Sequence, residues 1–306
     1  MEKIIGLIAA THTPMYQDGS INTSVVPDYL KFLRQNHIQG IFLNGSTSEG
    51  YHLTTEERKV MAEAWNEAAK GTDFKIFVFA GHLATKEACA IAAHAAQLPQ
   101  VHGISLTGPF YQKPGTPQLL VDLCAEVAAS APNKAFYYYH IPVLTNISTP
   151  MTQFLPLAGE KIPNLAGVKY THNDIEDFML AQDVNNGKYD LLAGIDEIAI
   201  ASRAVGAKGF IGSTYNFMAP LYLQMFEAFD KGDLAKAQWL QKRAIRIIRV
   251  IAAYGFISAC KVIMKQLGIN NGYVRLPSRQ ITDTEQITLM KELNDLNFFD
   301  YASRRI

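Results

Sequence analysis

With 306 residues and 48% hydrophobic content, the chain can bury one large core or two ordinary ones. Lys plus Arg and Asp plus Glu number 28 each, so no net field draws the molecule to nucleic acid, an anionic membrane or a polyacid. A charged substrate must therefore be met locally.

The first residues, Met1-Glu2-Lys3 and a short apolar run, lack a signal-peptide cleavage region, and no run of about 18 apolar residues offers a membrane span. Cys89, Cys124 and Cys260 are odd in number, form no C-x-x-C pair and fall in Ala-rich or apolar stretches that read as helix. They are expected to be small core residues in a cytoplasmic protein.

Taken in chain order, β-rich runs occur at Ile4–Ala10, Ile38–Leu43, Lys75–Ala80, Gly103–Leu106, Ala135–Tyr139, Leu165–Lys169, Asp190–Ala193 and Lys208–Ile211. Helical patterns separate them. Thr54-Thr55-Glu56-Glu57 opens a helix through Ala69 with a capping box, and Thr85-Lys86-Glu87 opens an Ala-rich helix that stops near Pro99. Thr116-Pro117 and Thr149-Pro150 put Pro in a first helical turn. After the eighth run the pattern is all-helical, over Pro220–Phe229, Asp233–Tyr254, Ser258–Leu267 and Thr284–Leu296. Within it, Lys242, Arg243, Arg246 and Arg249 interleave with apolar residues, the mark of an amphipathic helix rather than a nucleic-acid site.

Eight alternating strands and helices without a linker fit a closed barrel or an open doubly wound sheet, and the count of eight favours a (β/α)8 barrel. The expected organisation is a barrel over 1–230 with its active site at the strand C-termini, and C-terminal helices over 231–306 packed on it. Polar residues collect after the strands: Gly45-Ser46-Thr47-Ser48-Glu49-Gly50, Tyr139-His140-Ile141-Pro142, Lys169-Tyr170-Thr171, Gly194-Ile195-Asp196-Glu197 and Gly212-Ser213-Thr214-Tyr215-Asn216.

Each segment has a bland alternative. Gly45–Gly50 resembles a phosphate loop, but Tyr51-His52 stands where Lys-Ser/Thr is required; its Ser-Thr pair could hold a carboxylate or simply cap a turn. Lys169 ends an apolar run, so its amine would enter the barrel mouth, where desolvation frees it for Schiff-base chemistry; a snorkelling lysine is the alternative. Alternation sends Tyr137 and Tyr139 to one face and Tyr138 to the other, and only Tyr139 reaches the rim to move a proton. Asp196 and Glu197 could accept hydrogen bonds from a polyol, or merely complement a helix dipole. Asp196 and Ser213, after the seventh and eighth strands, are expected to lie away from the Ser46-Thr47 loop. The eight histidines show no metal-ligand spacing.

These segments, with Thr13-Pro14, Pro109-Phe110-Tyr111 and Gly167-Val168-Lys169, resemble in order the N-acetylneuraminate lyases within the larger dihydrodipicolinate synthase family, over essentially the whole length. The resemblance implies a (β/α)8 barrel with C-terminal helices, a homotetramer, and cofactor-free cleavage of a sialic acid to pyruvate and N-acetylmannosamine. It implies Lys169 as Schiff-base lysine, Tyr139 as proton carrier, and Tyr111 as a tyrosine linked to the proton relay. Ser46 and Thr47 would bind the pyruvyl carboxylate, and Thr171, Gly194, Asp196, Glu197 and Ser213 the sugar portion.

Two departures matter. Leu144 stands where the synthases carry an arginine for a second carboxylate, which argues against lysine biosynthesis, and Ser48 replaces the second glycine of Gly-Thr-Thr-Gly-Glu. A lyase or dehydratase for a shorter 2-keto-3-deoxy sugar acid is the alternative within this chemistry, and a non-catalytic sugar-acid sensor the alternative outside it.

Overall fold

Strands that carry apolar side chains on both faces must be covered on both, and here they are. In a computed structural model that describes residues 3–305, the strands β1 (Gly6–Ala10), β2 (Gly40–Leu43), β3 (Lys75–Phe79), β4 (Val101–Thr107), β5 (Ala135–His140), β6 (Leu165–Tyr170), β7 (Asp190–Ala193) and β8 (Gly209–Gly212) form one closed parallel barrel in sequential order. Met1 and Glu2, on which the leader reading partly rests, and Ile306 lie outside the described residues. Pairing of β1 with β8, Gly6 opposite Gly209 through Ala9 opposite Gly212, rules out the open sheet.

Two apolar layers result. Ile8, Phe42, Phe77, Phe79, Tyr137, Tyr139, Leu192 and Ile211 fill the lumen. Leu7, Ile41, Val78, Tyr138 and Val168 face outward onto the helices. The expected split of the tyrosine run is therefore present, with Tyr138 outside.

Strand β6 breaks the alternation at a decisive place. Phe136 pairs with Leu165 but Tyr137 pairs with Gly167, which leaves Ala166 as an extra residue, a β-bulge. Counted strictly from outward Leu165, Lys169 would also point outward. The bulge reverses the phase, so Val168 and Tyr170 join the outer layer and Lys169 enters the lumen. Gly167 permits this approach, since a Cβ there would sit 2.0 Å from the Asp190 carbonyl oxygen. Gly167→Ala is accordingly expected to destabilise the fold by at least about 1–3 kcal/mol, as overpacking does, and to lower reactivity at Lys169. Denaturant midpoints and adduct yield at Lys169 check it, and a variant with parental values for both would refute the role given to the bulge.

The helices follow their start signals with small shifts. Thr54 closes a reciprocal capping box with Glu57 on the helix Thr55–Ala68, and the Thr116 hydroxyl accepts from the Leu119 amide ahead of Pro117–Ala129. Pro150 is the N-cap of Met151–Lys161 rather than a residue of its first turn. The helix after β8 begins at Tyr215, five residues before Pro220, and bends where Met218 leaves helical geometry; Pro220 follows that kink. The helices Leu234–Ala253, Phe256–Gln266 and Asp283–Asp295 come after it. Leu240, Ala244, Ile247 and Ile251 bury one face of Leu234–Ala253, and Arg246 and Arg249 stay exposed on the other. No single helix among the described residues is long and apolar enough to cross a membrane.

Candidate active site

Parallel pairing puts Tyr139 directly beside Lys169 at the C-terminal ends of β5 and β6. The Lys169 amine lies 3.8 Å from the centroid of the Phe42 ring and 3.9 Å from that of Tyr139, and the residue is 4% exposed. Among the described residues it forms no ion pair. Burial pushes the amine down to about 7, against the opposing pull of the Asp196 carboxylate. A substantial neutral fraction is thus present near neutral pH, as a nucleophilic amine requires. Burial also pushes the Tyr139 phenol up to about 12, with the Ser46 and Thr171 hydroxyls restraining the rise.

Around this pair the mouth of the barrel holds a cavity of about 230 Å³ lined by Ser46, Thr47, Tyr139, Lys169, Thr171, Gly194, Asp196, Glu197 and Ser213. The loop after β2 is a tight turn. The amides of Ser48 and Gly50 bond to the Gly45 carbonyl and that of Glu49 to the Ser46 carbonyl, while the Ser46 and Thr47 amides enter no backbone hydrogen bond among the described residues. Those two amides, with two hydroxyls, suit an anionic oxygen. Ser48 does not disturb the loop, because the left-handed residue is Glu49, φ 58°, and not Ser48. Its hydroxyl instead donates to the Thr11 carbonyl at 2.5 Å.

Ser213 departs from expectation. Its hydroxyl lies 2.6 Å from that of Thr47, so the loops after β2 and β8 meet across the mouth instead of standing apart. Asp196 is also more committed than a free polyol acceptor would be. One oxygen accepts from the Thr214 amide at 3.0 Å and the Thr214 hydroxyl at 2.6 Å. The other is buried beside Gly212, where a Cβ would stand 1.7 Å from it, and no hydrogen bond meets it among the described residues. Burial raises this carboxyl to about 6 despite both bonds from Thr214. Glu197 lines the mouth cavity and a second one of about 410 Å³ lined also by Val143, His172, Asn173, Ile195 and Ile198.

Tyr111 is not brought to the mouth. It is 86% exposed and borders a separate cleft with Tyr51, His82 and Phe110. Two residues that no local signal marked do reach the site: Ile248 and Phe256, from the helices after the barrel, line the mouth cavity. Both lie on helices beyond the barrel, where no register can be counted from a strand end.

Comparison with known protein families matches residues 3–296 to the dihydrodipicolinate synthetase family. The chain belongs to that family. Among family relatives, the N-acetylneuraminate lyases of Pongo abelii and Homo sapiens are each 38% identical, with 98% of this chain and 95% of theirs aligned. The solved N-acetylneuraminate lyase of Proteus mirabilis superimposes with a TM-score of 0.94 at 39% identity, over 97% of this chain and 100% of that one. Leu144 is an exposed apolar side chain that does not line the mouth cavity.

Proposed function

We propose that the chain is a Schiff-base aldolase that reversibly cleaves N-acetylneuraminate to N-acetylmannosamine and pyruvate. The observation that carries this reading is the Lys169 amine, buried, depressed to about 7 and in no ion pair among the described residues, beside Tyr139 in the barrel mouth. The names of the relatives at 38% identity support the substrate.

In this mechanism the neutral Lys169 amine attacks the C2 ketone of the open-chain sugar acid, and loss of water with uptake of one proton from solvent leaves a protonated imine. Ser46 and Thr47 hold the C1 carboxylate. Tyr139 accepts the C4 hydroxyl proton as the C3–C4 bond breaks; the C4 oxygen becomes the aldehyde of N-acetylmannosamine, and the electron pair of the broken bond enters the enamine. Tyr139 returns a proton to C3, and water hydrolyses the imine to release pyruvate. The imine is the electron sink, so the chemistry calls on no cofactor. Thr171, Gly194, Asp196, Glu197 and Ser213 face the sugar portion. The mouth cavity of about 230 Å³ is smaller than the roughly 300–1,000 Å³ of ordinary ligand sites, and the adjoining cavity beside Glu197 supplies the length a nine-carbon chain needs.

Residues 1–230 would act as the barrel, with 231–306 closing the site through Ile248 and Phe256. The assembly proposed is a homotetramer, for which the exposed Leu83, Phe110, Tyr111 and Leu119 provide apolar surface. The compartment proposed is the cytoplasm, where the free thiols of Cys89, Cys124 and Cys260 would persist.

Pyruvate with borohydride is expected to leave one stable adduct, on Lys169, located by peptide mass mapping. An adduct on Lys113 or Lys261 instead, or none on active protein, overturns the Schiff-base reading. Pyruvate release from nine-carbon and six-carbon keto-deoxy acids decides the substrate, with faster turnover of the longer acid expected.

A further inference from the structure

The Gly45–Gly50 loop that presents Ser46 and Thr47 is held by a charge pair outside the barrel mouth. Glu49 and Lys261 form an ion pair at 2.9 Å with side chains only 2% and 1% exposed. The Lys261 ammonium also donates to the Thr13 carbonyl at 2.8 Å and to the Tyr273 carbonyl. The other Glu49 oxygen accepts the Arg275 amide at 2.8 Å. Thr13 in turn donates its hydroxyl to the Ser48 carbonyl at 2.8 Å. Three remote segments thus converge on the Ser48-Glu49 end of the loop: the helix Phe256–Gln266 and the stretch that follows it on Glu49, and the chain after β1 on Ser48. Glu49, two residues beyond Thr47, is in the left-handed region at φ 58°, so its backbone sets the direction of the turn.

We propose that Glu49 and Lys261 are positioning residues for the reaction, a buried ionic clamp by which the C-terminal helices set Ser46 and Thr47 for the pyruvyl carboxylate. The inference rests on the Schiff-base reading above. A buried ion pair is weak support for stability, because desolvation offsets most of its attraction and apolar replacements often serve as well. What it does supply is direction: the carboxylate meets the Lys261 ammonium, and that cation is fixed by two carbonyls on separate segments. A misplacement of about 1 Å in a substrate-positioning group can cost on the order of 10²-fold, here in the capture of pyruvate, so such a constraint matters more at this loop than the net stability of the pair.

The test compares Glu49→Gln, which removes the charge and keeps the shape, with Glu49→Asp, which keeps the charge on a shorter arm. Lys169 is trapped with borohydride over a pyruvate series, and steady-state kinetics and thermal midpoints are recorded on the same folded preparations. Half-saturating pyruvate is expected to rise roughly tenfold to a hundredfold in Glu49→Gln, less in Glu49→Asp, with kcat at saturation within a few-fold of the parent. If Glu49→Gln does not fold, Glu49→Asp carries the same test. Unchanged half-saturation with a lowered thermal midpoint overturns the proposal and leaves the pair purely structural, as does a fall in kcat alone. Failure of the parent itself to be trapped rejects both readings, because the loop would then have no pyruvyl carboxylate to hold.

Discussion

Lys169→Met is expected to abolish turnover and pyruvate trapping while making the folded protein more stable. The buried amine titrates near 7 instead of 10.5, a drop of about 3.5 that at about 1.4 kcal/mol for each pH unit corresponds to up to about 5 kcal/mol. The sign follows from proton counts. Below pH 7 folded and unfolded chains both carry the proton, and the folded state bears the whole cost of a buried, unpaired ammonium. Between pH 7 and 10.5 the unfolded chain binds a proton that the folded chain lacks, so stability rises with pH. Above 10.5 the difference is gone. Methionine, an apolar side chain of similar length, removes the cost at every pH and can lie against the Phe42 and Tyr139 rings. The stability advantage of Lys169→Met should therefore be largest at pH 6 and shrink towards pH 10, as urea midpoints across that range would reveal. An advantage independent of pH, or a destabilised variant, would mean that the lysine is not held near neutrality by desolvation.

Tyr139→Phe should lose about 10²–10⁴-fold in turnover and still form the imine. The ring stays packed edge-on against Phe42, 5.4 Å between centroids, and against Phe79 at 6.0 Å, so the substitution removes little besides the hydroxyl. In the free protein burial holds this phenol up near 12, and it carries its proton at neutral pH. Imine formation changes the balance, because a fixed positive charge then stands where the Lys169 nitrogen lies, 3.9 Å from the ring centroid, and favours the phenolate. The base is thus generated only once substrate is attached. Borohydride adduct yield close to the parent together with slow turnover is the expected pair of results. Turnover within a few-fold of the parent would transfer the proton to another carrier.

Much of this architecture is written locally. Each strand begins and ends within two residues of its β-rich run, because a strand covered on both faces is a short apolar segment bounded by turn residues. The Thr54 capping box is read from four consecutive residues and forms as read. Ser46, Thr47, Tyr139, Lys169, Thr171, Gly194, Asp196, Glu197 and Ser213, named together from the resemblance to the lyases, do line one cavity, because a parallel barrel delivers its strand ends to one rim; Tyr111, in the segment after β4, does not join them.

Closure, phase and contact across the rim are of another kind. Closure depends on β1 meeting β8 some two hundred residues away, and no local pattern records that pairing. The inward direction of Lys169 depends on the extra residue Ala166, visible only in the register of β6 against β5. Ser213 was expected apart from Thr47, yet the barrel's curvature brings their hydroxyls to 2.6 Å. Ile248, Phe256 and Lys261 reach the mouth or its loop only because the C-terminal helices fold back over the strand ends. Which segments are strands and helices, and which residue types gather at the rim, can be read from local residue patterns, since propensity and alternation act over a few neighbours. Tertiary structure alone decided which of those side chains touch, because contacts between distant segments are set by register and helix packing, which local residue patterns do not encode.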